Sequence, residues 1–150
     1  MSERYFDDFE VGERFVSGGV TVSESQILDF ALRYDPQPFH LDKEAAAQSP
    51  YGGLIASGFQ TLALAFRAFH DANVINQCSL GSPGMDELRW LKPVRPGDTL
   101  HTEGVVKSKR ASDSRPDRGI LHMAYEVKVQ TGETVMSFVA IHLLSRRAAE

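Results

Sequence analysis

Alternation is cleanest toward the C-terminus. Leu121, Met123, Tyr125, Val127 and Val129 are separated by His122, Ala124, Glu126, Lys128 and Gln130, a period of two that sets one strand face against a core. Thr131-Gly132 predicts a tight hairpin turn. The run that follows, Thr134 to Leu144, is apolar on both faces, as in a central strand or one near a subunit contact. Thr99 to Lys109 reads as another strand, Met85 to Leu91 as one ending at Pro93, and Ser112 to Arg118 as a polar connection. Nearer the N-terminus, Phe15 to Val22 is predicted as a first strand.

Between these strands the period changes to that of a helix. Ser23 followed by Gln26 is a capping box, in which each side chain satisfies an orphan backbone donor. Ile27, Phe30, Ala31 and Tyr34 then form an i, i+3, i+4, i+7 stripe. Pro36 and Pro38 end that helix, and Asp42 is placed to cap a short helix through Ala47. After the break at Gly52-Gly53, Ile55, Phe59, Leu62, Phe66 and Phe69 recur in steps of four and three. Leu54, Ala56, Ala63, Leu64 and Ala65 leave this longer helix little polar surface, so burial nearly all round is expected.

The order is a strand, small helices, one long apolar helix, then about four antiparallel strands, which is an α+β fold with a sheet curled around a central helix. With no internal repeat or linker, residues 1–150 read as one domain. Open sheet edges favour pairing into a homodimer or a dimer-based assembly.

Composition narrows the partners. The 42% hydrophobic content and nine Phe supply a core. A net charge of -4 offers no overall field for nucleic acid or an anionic membrane. Cys78, the only cysteine, excludes an intrachain disulfide and any cysteine-based metal cluster. Met1-Ser2-Glu3-Arg4 lacks the apolar core of a signal peptide, and no apolar run approaches the roughly 18 residues of a membrane span. A cytoplasmic setting is the expectation.

The chemistry concentrates at Asp35 and His40, five residues apart with Pro36 and Pro38 between them. Two prolines preset the backbone, so the pair is expected on an extended loop with little freedom to lose, as an acid/base pair requires. Taken alone, Asp-Pro is a common turn starter, and a lone His is more often structural than catalytic. His70, His101, His122 and His142 show no metal-ligand spacing, so no metal site is expected. Neither a Gly-x-Ser-x-Gly elbow nor a phosphate-cradling glycine loop is present.

Asp35-Pro36-Gln37-Pro38-Phe39-His40 resembles the Asp-x-Asn-Pro-x-His signature of the MaoC-like dehydratase and (R)-specific enoyl-CoA hydratase family. Leu54 to Leu62 is similar to that family's central-helix start, and Leu88 to Leu100 to its strand–turn–strand segment, all in family order. The resemblance covers most of residues 10–145 and implies a hot-dog fold. It also implies that Asp35 and His40 hold and activate the water added to a trans-2-enoyl thioester, giving a 3R-hydroxyacyl product, or run the reverse. Gly58 falls where the family places the glycine whose backbone N–H polarises the thioester carbonyl, a role suited to a helix N-terminus.

No cofactor is implied beyond the coenzyme A of the substrate. Gln37, Ser57 and Phe59 are the expected substrate-contacting neighbours, and Arg89, Lys92 and Arg95 a cationic cluster for coenzyme A phosphates. Gln37 stands where the signature has Asn, Ser57 where His is frequent, and Phe66 where some hydratases carry a serine. Alternative readings are a hot-dog thioesterase, disfavoured because residues 55–69 contain no Asp or Glu, and a non-catalytic acyl-CoA binding protein.

Overall fold

The computed structural model describes residues 3–148. After a short 3-10 turn at Phe6–Asp8 come β1 (Arg14–Val16), β2 (Val20–Thr21), α1 (Glu24–Tyr34), α2 (Pro38–Leu41), α3 (Lys43–Ala47) and α4 (Gly58–Asp71). The long strands follow: β3 (Gly84–Trp90), β4 (Thr99–Ala111), β5 (Arg118–Lys128) and β6 (Thr134–Ser145). All pairing is antiparallel, in the order β1-β4-β5-β6-β3, with β2 also on β4. The sheet packs around α4, which is the hot-dog arrangement.

The core is made by one face each of β4 and β5 and by β6. Leu100 and Val106 of β4, Leu121, Met123, Tyr125 and Val127 of β5, and Met136, Phe138 and Leu144 of β6 are buried with Ala65 and Phe69 of α4. Burying a side chain as large as Phe69 contributes roughly 1.5–3 kcal/mol, and its ring meets Tyr125 edge-on at 4.9 Å. Gly104 permits this approach, because a Cβ there would stand 2.6 Å from Met123 Sδ and 3.2 Å from Phe69 Cε1. Thr102, also buried, donates from Oγ1 to the Ala65 carbonyl at 2.8 Å, tying strand to helix. Tyr125 Oη and His142 Nε2 satisfy each other at 2.7 Å beneath the sheet. Among the described residues no helix is long and apolar enough to cross a membrane.

Several expectations need correction. The first strand is two, because Gly18-Gly19 interrupts the ladder and β1 and β2 pair with separate stretches of β4. The segment after Asp35 is not extended throughout: Pro38 occupies the start of α2 and places His40 on a helical turn. The central helix starts at Gly58 rather than near Ile55. The Ile55 N–H donates to the Phe39 carbonyl and the Ala56 N–H to that of Val94, at 3.1 and 2.8 Å, so both residues are held outside the helical ladder. Nor is α4 buried all round, since Phe59 and Phe66 are 62% and 42% exposed. The 3-10 turn, whose Phe6 packs on Gly119, carries no periodic signal in the sequence.

Candidate active site

Asp35 caps the C-terminus of α1, its N–H donating to the Ala31 carbonyl at 3.0 Å. Pro36 cannot continue a helix, and Gln37 starts α2 with Pro38 as its first residue. Two turns of chain thus bring Asp35 and His40 face to face, with Asp35 Oδ2 3.3 Å from His40 Nε2. The side chains are 12% and 6% exposed. His40 Nδ1 lies 2.8 Å from the Ile55 carbonyl oxygen. A carbonyl only accepts, so Nδ1 carries a proton, and Nε2, facing the carboxylate, is the nitrogen free to gain or lose one.

Both oxygens of Asp35 also receive neutral donors. Gln37 Nε2 donates to Oδ1 at 2.8 Å and Ser57 Oγ to Oδ2 at 2.7 Å. Burial is the largest single influence on this carboxyl and pushes its pKa up. The Ser57 and Gln37 hydrogen bonds and the nearby His40 together outweigh it, holding the group below its ordinary value.

Ser57 is the N-cap of α4, its Oγ accepting from the Phe59 N–H at 3.3 Å. The next residue, Gly58, is the first of the helix, so its N–H has no acceptor within the helix and donates to no protein group among the described residues. Trp90 lies against it. The indole Nε1–H donates to the Gly58 carbonyl at 3.0 Å, and a Cβ on Gly58 would stand 2.5 Å from the indole ring. Asp35, His40, Gly58 and Trp90 share a cavity of about 460 Å³, walled further by Tyr51, Ile55, Thr61 and Leu91. A larger cleft of about 900 Å³ lies among Glu3, Arg4, Glu10, Glu13 and Arg147. Its charges are absorbed by the Arg4–Glu13 and Arg147–Asp8 pairs, so the smaller cavity is where the reactive groups converge.

A held carboxylate, a titratable imidazole nitrogen and a free helix N-terminal N–H on one wall can move a proton beside a carbonyl whose oxygen is gaining charge. Residues 8–133 match the MaoC like domain family. The chain belongs to that family. A MaoC-like dehydratase from Rhodospirillum rubrum is 40% identical, with a TM-score of 0.91 over 98% of this chain and 100% of that one. Uncharacterized protein YdeM of Bacillus subtilis is 34% identical over 133 residues, 85% of this chain and 93% of its own length. R-hydratase PhaJ1 of Pseudomonas aeruginosa is 28% identical, with a TM-score of 0.72 over 97% of this chain and 92% of its own. The MaoC-like family is thus one of hydratases and dehydratases.

Within this MaoC-like domain the structure gathers Asp35, His40, Gly58, Gln37 and Phe59 on the cavity, with Ser57 directly behind it. The cationic trio does not converge there. Lys92 lines the cavity but is paired with Glu133, Arg95 donates to the Tyr51 carbonyl at 2.6 Å, and Arg89 reaches only the Leu88 carbonyl. Phe66 points outward rather than into the cavity. Trp90 and Tyr51 were not foreseen from the sequence. The signal for Trp90 was its place as the chain's only Trp, inside the Leu88 to Leu100 segment.

Proposed function

We propose that this protein is a hydro-lyase that adds water to trans-2-enoyl-CoA, or removes it from (R)-3-hydroxyacyl-CoA. The observation that carries the reading is the Asp35–His40 pair, 3.3 Å apart, on a cavity shared with the unpaired N–H of Gly58. In the hydration direction Asp35 and His40 orient a water whose oxygen bonds to the β-carbon. One of its protons is taken up by the pair, and a proton is delivered to the α-carbon. Gly58 N–H donates a hydrogen bond to the thioester oxygen as charge develops there, an interaction whose removal typically costs about 10²–10³ in rate. R-hydratase PhaJ1 among the similar structures supports this reaction class.

The working unit is proposed to be a homodimer. Phe59 and Trp90 touch edge-on at 6.0 Å, and they, Phe66 and Met85 are all at least 42% exposed on α4 and the edge strand β3. An apolar flank beside an open sheet edge is what a second copy would cover.

The test is loss of enoyl-thioester absorbance with crotonyl-CoA and a longer enoyl-CoA, without added metal. Wild type should turn over, while Asp35→Asn and His40→Gln should lose roughly 10²–10⁴-fold in kcat with folding intact. Tight acyl-CoA binding without turnover at any chain length would transfer the reading to a binding protein.

A further inference from the structure

Ser57 sits where two functional halves of the cavity meet, and its hydroxyl is fully committed. Its single proton goes to Asp35 Oδ2 at 2.7 Å, and its lone pair accepts from the Phe59 N–H at 3.3 Å. The residue is 1% exposed. One hydroxyl therefore spans from the first turn of α4, where the free Gly58 N–H lies, to the carboxylate facing His40. Gln37 holds the opposite carboxylate oxygen at 2.8 Å.

We infer that Ser57, assisted by Gln37, is a positioning residue that clamps the Asp35 carboxylate against His40 and sets its distance from the helix N-terminus. This rests on the proposed reading of the Asp35–His40 pair. A carboxylate has about four acceptor directions. Ser57, Gln37 and His40 occupy three of them from α4's cap, the α1–α2 link and α2, leaving Oδ1 one direction for a ligand. The clamp removes rotation about the Asp35 side chain, the freedom a proton-transfer geometry must lose before reaction. Ser57 then acts on the reaction without its hydroxyl touching substrate.

The clamp also has an electrostatic consequence. His40 is the ionisable neighbour of Asp35 among the described residues; Lys92 shares the cavity but is paired with Glu133. Burial raises the Asp35 pKa, and the Ser57 bond is the largest influence opposing it. With that donor gone, burial faces weaker opposition, so the carboxyl must titrate at higher pH. The acid limb of kcat/KM moves up with it.

Ser57→Gly separates capping from clamping, because glycine serves as an N-cap with little loss of stability. Gln37→Ala, at an exposed position, removes the other donor without disturbing the core. The direct readout is a pH titration of the Asp35 carboxyl ¹³C shift, which needs no substrate. Its midpoint should rise in both variants, more in Ser57→Gly, and return toward wild type in Ser57→Thr. In turnover, Ser57→Gly should lose about tenfold in kcat with KM within about twofold of wild type. An unmoved midpoint in both variants would overturn the inference, as would a raised KM with kcat intact, which would place Ser57 on the substrate. If the midpoints shift while wild type hydrates no enoyl thioester, the hydratase reading fails and the clamp stands. If Asp35→Asn abolishes turnover while neither midpoint moves, the hydratase reading stands and the clamp fails.

Discussion

Gly58→Ala adds one methyl group at the first residue of α4. In an exposed helix interior this replacement stabilises by about 1 kcal/mol. Here the backbone has no left-handed φ to demand glycine, so the outcome is decided by space. The added Cβ would stand 2.5 Å from both Cε2 and Nε1 of Trp90 and 3.0 Å from Cδ2, all atoms of a rigid ring. One way to relieve this is for the indole to swing out. That forfeits the Nε1–H bond to the Gly58 carbonyl, worth about 0.5–1.5 kcal/mol, and the edge contact with Phe59, worth a similar amount. Trp90 is 46% exposed, so the ring can move and the stability loss should stay near 1 kcal/mol. The other way is for the first turn of α4 to shift, carrying the Gly58 N–H off its line to the cavity. Activity should therefore fall further than stability, by about 10²-fold. Urea denaturation and crotonyl-CoA hydration of Gly58→Ala, Trp90→Ala and the double variant form a closed cycle. The alanine should cost less stability once Trp90 is gone, giving a coupling of about 0.5–1.5 kcal/mol. A Gly58→Ala protein as stable and active as wild type, with no coupling, would refute the steric argument.

Two further expectations concern the core and the apolar flank. Burial pushes His142 down to about 4, so between pH 6.5 and 4 the unfolded chain binds a proton that the folded one refuses, and stability falls as pH falls. Across that window the effect is on the order of 3 kcal/mol; denaturation at pH 7.5 and 5 should show a shallower decline in His142→Gln, and equal declines would count against it. Phe66→Asp puts a charge on the exposed flank of α4 and should shift the sedimenting species toward monomer, whereas an unchanged oligomer would move the contact elsewhere.

Where the sequence was legible, a local rule and the tertiary structure agreed. The alternation from Leu121 to Val129 maps onto β5 because only one of its faces meets α4. The Ser23–Gln26 box forms as expected, with Gln26 N–H donating to Ser23 Oγ at 3.2 Å and Ser23 N–H to Gln26 Oε1 at 2.9 Å. Asp35 and His40 were singled out by the resemblance of residues 35–40 to a family signature, since Asp-Pro and a lone His by themselves favour a turn and a structural role. The structure brings the two side chains within 3.3 Å of each other. Trp90 meets Gly58 across a separation of 32 residues, and no periodicity carries that information. The start of α4 failed for the same reason. Apolar spacing runs unbroken through Ile55, but distant carbonyls of Phe39 and Val94 claim the backbone donors of Ile55 and Ala56.

The misjudged burial of α4 has a different cause. Apolar spacing measures how much surface a helix must hide, not which chain hides it. Ala65, Ala68 and Phe69 are buried within the same chain, while Phe59 and Phe66 are left exposed, Phe59 against Trp90 of edge strand β3. The periodic positions Ile55, Phe59, Leu62, Phe66 and Phe69 thus serve two surfaces rather than one. If a second copy covers the outer one, it packs within reach of Phe59 and Trp90, which also wall the cavity. Assembly and catalysis would then be coupled through the Trp90 indole. The dilution that dissociates the dimer should weaken hydration per chain even though Asp35, His40 and Gly58 all belong to one chain.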